Sequence, residues 1–206
     1  MISNEHKDFP PLNGLVLAGG KSVRMGQAKD ALNWHGKEQK YHSADLLKPF
    51  CDEVFISCRQ DQLTDCDADY NALTDTFLNM DPFGGILSAL RSQRDKAWLV
   101  VACDLPLLDA NALQLLTENR DPQKVATTFE SPFDGLPEPL ITIWEPKSYP
   151  LLLNFLGVGT TCPRKVLINH DVLILKPQNP DALMNVNTPE DAKKAQELLN
   201  SKGKDE

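Results

Sequence analysis

The run from Ala97 to Cys103 (AWLVVAC) is apolar from end to end and stops at a carboxylate, Asp104. A strand of this kind cannot turn either face to water. It belongs in the middle of a mostly parallel sheet that is covered on both sides. The rest of the chain supplies the covering layers. Strand-like stretches at Leu12–Leu17, Glu53–Cys58, Ala72–Leu73, Val125–Phe129, Leu140–Trp144 and Val172–Leu175 alternate with helical patterns. The helices are expected at Tyr41–Phe50, Gly85–Gln93, Ala110–Asn119, Pro150–Leu156, Arg164–Asn169 and Pro189–Leu199. Asp109 and Thr188 are the expected N-caps, and MDPFGG (80–85) the expected turn. The alternation predicts an α/β fold in three layers around a mostly parallel sheet.

At 206 residues, one domain spanning 1–206 is the expectation, with residues 1–11 as a flexible leader and 200–206 as a polar tail. Glu130 to Pro139 holds three prolines and a glycine, and reads as a mobile surface loop. No apolar run approaches the roughly 20 residues of a membrane span, and the N-terminus has no signal-peptide core. The net charge of −8 argues against a general nucleic-acid or anionic-membrane binder. Five scattered cysteines without a CxxC pair suggest reduced, mostly buried thiols in a cytoplasmic protein. The four histidines show no metal-ligand spacing.

Ligands of such a sheet bind outside the carboxyl ends of the strands. Three segments reach that edge: Ala18 to Lys29, Asp75 to Gly85, and Asp104. In the first, Gly19 and Gly20 permit a sharp turn and close backbone approach, and successive N–H groups can cradle an anion. Lys21, Arg24 and Lys29 add positive charge; residues 21–40 carry five basic and two acidic side chains on an otherwise acidic chain. A small anionic ligand, a phosphate, fits this loop. It is neither a Walker A loop nor a GxGxxG fingerprint. Asp104 suits a hydrated Mg²⁺ bridging to a nucleotide phosphate, or else the capping of a turn. Asp75 reads equally as a nucleotide contact or a turn residue. The same holds for Asn185 and Asn187 before the last helix.

These pieces, taken in order, resemble a known family. LAGGKSVRMGQAK (17–29) matches the nucleotidyltransferase pattern LAGGxSxRMGxxK. It is followed by TD at Asp75, PFGGILSAL, CDLP, EPLITIW and NVNTPED. The chain from about Leu12 to Leu199 is similar to the molybdenum cofactor guanylyltransferase (MobA) family of the nucleotidyltransferase superfamily. That resemblance implies a Rossmann-like three-layer α/β/α sandwich of the nucleotide-diphospho-sugar-transferase type.

It also implies transfer of GMP from GTP to molybdenum-molybdopterin, giving the guanine dinucleotide cofactor and pyrophosphate. By matched position, Leu17, Ala18, Gly19 and Gly20 contact the guanine nucleotide, Lys29 its phosphates, and Asp75 the GTP. Asp104 matches the Mg²⁺ ligand, Arg24 supports the phosphates, and Asn187 lies near the metal or the pterin. The catalytic set so implied is Arg24, Lys29 and Asp104. Gly159, Arg164 and the Glu138–Trp144 strand are candidates for the acceptor side by position alone. Other cofactor-biosynthesis proteins or recipient molybdoenzymes are the implied partners.

Two departures stand out: Ala28 occupies the position before the motif lysine where the family commonly has Asp, and the second strand offers Ile56, Ser57 and Cys58 where some members carry a GTP-contacting asparagine. LAGG resembles the guanylyl enzymes, and LAAG is more frequent in cytidylyl relatives. A cytidylyltransferase on molybdopterin or another phosphorylated small molecule is the first alternative reading. A non-catalytic nucleotide-binding partner protein is the second.

Overall fold

The computed structural model describes residues 9–18 and 33–202. Seven strands form one sheet: β1 (Leu12–Leu17), β2 (Val54–Cys58), β3 (Asn71–Thr74), β4 (Ala97–Ala102), β5 (Ala126–Glu130), β6 (Pro137–Trp144) and β7 (Leu173–Leu175). Their order across the sheet is β3-β2-β1-β4-β6-β5-β7. All neighbours pair in parallel except at β6, which runs antiparallel to both β4 and β5. The helices are α1 (Gln39–Leu47), α2 (Phe83–Ser92), α3 (Ala110–Glu118), α4 (Ser148–Gly157), α5 (Pro163–Ile168) and α6 (Pro189–Lys202).

β4 explains the layering. Every residue of it is buried. Because successive side chains point to opposite faces, Ala97, Leu99 and Val101 join one core with Ala44 and Leu47 of α1 and Leu113 and Leu116 of α3. Trp98 and Val100 join the other, with Ile86, Leu87 and Leu90 of α2, Leu152 of α4 and Val166 of α5. The result is the three-layer α/β/α sandwich that the alternation predicts. α6 adds a smaller cluster, Ala195 packing with Leu107, Met184 and Val186.

The end signals are borne out where their chemistry is local. Asp109 accepts a hydrogen bond from the Ala112 N–H at 3.0 Å and caps α3. Thr188 and Asp191 exchange bonds at the start of α6, Asp191 N–H to Thr188 Oγ1 and Thr188 N–H to Asp191 Oδ2. Three expectations change. MDPFGG is not wholly a turn: Phe83, Gly84 and Gly85 are the first residues of α2 and all are buried. The Glu130–Pro139 stretch is not a long loop either. β5 continues to Glu130 and β6 begins at Pro137, leaving Ser131–Leu136 between them. Side chains support the hairpin where the register shifts between Thr128 and Glu130. Thr128 Oγ1 and Thr142 Oγ1 each donate to the Glu138 carbonyl at 2.6 Å. The seven C-terminal residues are not all tail, since α6 runs on to Lys202.

Candidate active site

The carboxyl ends of the parallel strands define one edge. In order across it stand Asp75 after β3, Ser57 near the end of β2, Ala18 after β1, and Asp104 just past β4. α1, which follows β1 in the chain, packs on one face, and α2, which precedes β4, packs on the other. The crevice between β1 and β4 is therefore the point at which the winding reverses, where open α/β sheets bind ligands. The Leu17 carbonyl accepts from Cys103 N–H at 3.2 Å, tying the two strand ends together. Ala18 is buried behind them. Asp75 and Asp104 flank this crevice across three strand spacings, about 14 Å at ~4.8 Å each.

Gly19, Gly20, Arg24 and Lys29 lie outside the described residues, as do Lys21 and Ala28. Of the residues singled out from the sequence, the structure brings Leu17, Ala18, Asp75 and Asp104 to the same edge.

Asp75 is 5% exposed. Its Oδ1 accepts from Ser57 Oγ–H at 2.6 Å, and its backbone N–H donates to the Cys58 carbonyl at 2.9 Å. Burial pushes its carboxyl up to about 6. Asp81 adds to the rise, while the Ser57 hydroxyl and Arg59 oppose it. A small residue makes this arrangement possible. A Cβ on Gly85 would stand 2.7 Å from Leu17 Cδ2, 3.0 Å from Ser57 Oγ and 3.6 Å from Asp75 Oδ1. Nothing in the strand context of Ser57 singles it out before the fold is known.

On the other side of the crevice, Asp104 is half-buried and its Oδ1 is shielded from solvent. Its carbonyl accepts from Val186 N–H at 2.8 Å, which brings the NVN segment (185–187) to the site. Because β6 is antiparallel, its first residues lie beside the end of β4. Extending the Val101–Ile141 register sets Asp104 beside Glu138. Glu138 is 4% exposed. Burial raises its pKa, Asp104 and Asp134 adding to the rise and the Leu140 N–H and Arg164 opposing it. Arg164 on α5 bridges two carboxylates, Nη1 to Asp134 Oδ2 at 2.7 Å and Nη2 to Glu138 Oε2 at 3.2 Å. Glu138 and Arg164 thus join the site edge as a pair. Asn185 Oδ1 is buried with no hydrogen-bond partner among the described residues, and Asn187 is exposed. Two neighbouring carboxylates and a buried amide oxygen at this corner are hard donors, and they fit a divalent cation such as Mg²⁺.

The other expectations resolve simply. All five cysteines are free thiols; Cys58 and Cys103 are buried and the other three half-buried. Burial pushes the Cys51 thiol up to about 12. His35 and His42 stack with ring centres 3.7 Å apart, and His35 Nε2 lies 2.9 Å from the Pro106 carbonyl. Among the described residues no helix is long and apolar enough to cross a membrane.

Residues 14–195 match the MobA-like NTP transferase domain family. A molybdenum cofactor biosynthesis bifunctional protein of Synechocystis is 36% identical over 88% of this chain, which spans 52% of that longer protein. A molybdenum cofactor guanylyltransferase of Pseudomonas fluorescens is 32% identical over 88% of this chain and 92% of its own length. In three dimensions the chain is similar to a molybdopterin-guanine dinucleotide biosynthesis protein A from Archaeoglobus fulgidus. The TM-score is 0.77 at 22% identity, covering 92% of this chain and 99% of that one. A sheet wound to open between β1 and β4, carboxylates on either side of the opening, and matching relatives over nearly the whole length converge: the chain belongs to the MobA-like NTP transferase family.

Proposed function

We propose that this protein is a molybdenum cofactor guanylyltransferase. It transfers GMP from GTP to the phosphate of molybdenum-molybdopterin and releases pyrophosphate. The observation that carries this reading is the pairing of Asp75 and Asp104 on opposite sides of the β1–β4 crevice, one buried against Ser57 and the other beside Glu138. Such a site takes a ligand whose two ends differ, as a nucleotide's base and phosphates do.

The base end lies toward Asp75, with Leu17, Ala18, Gly19 and Gly20 beneath the nucleoside. Arg24 and Lys29 offset the charge of the triphosphate. Asp104 would hold Mg²⁺, with Asn187 nearby, and when bound the ion supplies charge neutralisation at the α-phosphate and the departing pyrophosphate. An acceptor phosphate oxygen forms a bond to the α-phosphorus. The bond from that phosphorus to the bridging oxygen breaks, and its electron pair leaves with pyrophosphate. The acceptor oxygen is already ionised, so alignment and charge neutralisation are the protein's main tasks. Arg164 and Gly159 border the acceptor side. The domain works as one nucleotidyltransferase unit over 1–206 in the cytoplasm, a placement that its five free thiols suit. Cofactor-biosynthesis proteins or recipient molybdoenzymes are its partners.

Titration calorimetry with GTP and with CTP, each with Mg²⁺, tests the nucleotide; pyrophosphate release with molybdenum-molybdopterin tests the reaction. GTP preference and GTP-dependent release are expected. Preference for CTP would assign the cytidylyl chemistry instead, and nucleotide binding without release under any acceptor would leave a binding protein. Asp104→Ala should abolish turnover. Lys29→Ala should lower kcat/KM by about 3 kcal/mol, the scale of one lost contact to a developing charge. Near-normal turnover in either variant would overturn its role.

A further inference from the structure

A cavity of about 650 Å³ opens at the carboxyl ends of β2 and β3. Its walls include Arg59, Asp61, Asp75, Phe77, Leu78 and Asp81. The volume suits a small organic ligand. Among the described residues its charge does not suit a phosphate, because three carboxylates face a single guanidinium. On the guanylyl-transfer reading above, on which this inference rests, the cavity takes the uncharged end of the nucleotide.

The two opposite charges in it lie side by side. Cys58 and Thr74 are register partners in the parallel β2–β3 pair, so Arg59 and Asp75 are the next residues along on adjacent strands. By strand alternation, Arg59 shares a face with Ser57, and Ser57 in turn bonds Asp75 Oδ1. An ionised Asp75 only accepts hydrogen bonds. The Watson–Crick edge of guanine presents two adjacent donors, N1–H and N2–H₂, which a carboxylate can accept together. Cytosine and adenine each present one amino group beside an acceptor. The neighbouring edge of guanine carries two acceptors, O6 and N7, and the arginine fork matches that pair. The Arg59 guanidinium already holds a fork geometry. Nε reaches Asp61 Oδ1 at 3.2 Å and Nη2 reaches Asp61 Oδ2 at 3.4 Å. Asp61 is 72% exposed, and an ion pair so open to water holds the fork only weakly.

We infer that Arg59 is a base-selecting residue, its guanidinium reading O6 and N7 of guanine while Asp75 takes the N1–H and N2–H₂ edge. It requires a purine with an oxo group at C6, and it gives the GTP-over-CTP preference a source beyond the LAGG turn.

Calorimetry with Mg²⁺ and GTP, 7-deaza-GTP, inosine triphosphate and CTP tests this on the wild type, Arg59→Ala and Arg59→Lys, with thermal melts to verify folding. The wild type should bind 7-deaza-GTP, which lacks N7, several-fold more weakly than GTP. Arg59→Ala should lose about tenfold or more in GTP affinity and bind GTP and 7-deaza-GTP alike. The weaker binding of inosine triphosphate, which lacks the 2-amino group, should persist unchanged because Asp75 reads that edge. Arg59→Lys should behave like Arg59→Ala, since it keeps the charge and loses the fork. A folded Arg59→Ala that binds GTP like the wild type, or still distinguishes GTP from 7-deaza-GTP, overturns the assignment of Arg59 alone. A wild type that binds GTP no better than CTP overturns the guanylyl reading together with it.

Discussion

Two adjacent glycines in one helix invite an alanine test, because propensity and packing predict opposite results. Gly84 and Gly85 lie in the first turn of α2. Helix propensity favours alanine over glycine by about 1 kcal/mol at each. Packing says otherwise. A Cβ on Gly84 would stand 2.2 Å from the Phe77 carbonyl oxygen and 3.3 Å from Met80 Cβ. That carbonyl is main chain and has no rotamer to escape into. The same turn is pinned to the helix by Gly84 N–H to Met80 O at 2.7 Å and by Ser88 Oγ, which donates to Gly84 O and accepts from Thr76 N–H. Relief therefore means moving the Thr76–Met80 segment off α2. Overpacking of this kind costs about 3 kcal/mol, which leaves Gly84→Ala about 2 kcal/mol less stable after the propensity gain.

At Gly85 the nearest atom, Leu17 Cδ2 at 2.7 Å, ends a flexible side chain, and Ser57 Oγ is next at 3.0 Å. Gly85→Ala should come out about 1 kcal/mol or less below wild type in stability. Its main effect should be on the Ser57–Asp75 bond, seen as weaker GTP binding. Urea and thermal unfolding measure the first quantity; at this size about 2 kcal/mol lowers Tm by roughly 4–8 °C. A Gly84→Ala protein that melts at or above wild type would refute the close approach. A Gly85→Ala protein with unchanged GTP affinity would separate Asp75 from the nucleotide.

The Arg120–Glu145 pair, bidentate at 2.7 and 2.9 Å and almost wholly buried, sits at the opposite edge of the sheet. Arg120→Ala should cost about 3–5 kcal/mol, roughly a 10 °C drop in Tm, with GTP affinity unchanged in the folded fraction. The buried Asp75 favours its protonated form in the folded state, so between about pH 4 and 6 its contribution to stability falls as pH rises. Asp75→Asn should therefore stabilise the protein above pH 6 by about 2 kcal/mol in urea unfolding while weakening GTP binding. His42, which burial lowers to about 4 with His35 and Lys37 adding to the fall, acts in the opposite direction. Its contribution is lost as pH falls from about 6.5 to 4, and His42→Gln should flatten that limb of a Tm–pH curve.

How legible the molecule was in its sequence depended on how local each cause was. β4 was readable because burial on both faces leaves an unbroken apolar run. The caps at Asp109 and Thr188 were readable because each contact spans three residues. The error at MDPFGG has a different origin. Glycine there suggests a turn, but Gly84 and Gly85 stand in the first turn of a helix, and they are glycine because Phe77, Leu17 and Ser57, all from other segments, leave no room for a Cβ. Likewise, the prolines and glycine of 130–139 suggested an open loop, whereas Pro137 and Pro139 lie in a strand whose irregular pairing is supported by Thr128 and Thr142. The site divides along the same line. Asp104 announces itself by ending an apolar strand. Glu138 sits beside it only because β6 is antiparallel, a reversal that alternation of strands and helices does not encode. Ser57, Arg59 and Asp75 converge only through the β2–β3 register. On the reading proposed above, the parts of the site most dependent on register are the ones that choose the ligand. Sequence motifs of this family therefore point to the chemistry of phosphate transfer, and base choice has to be argued from the pairing of strands.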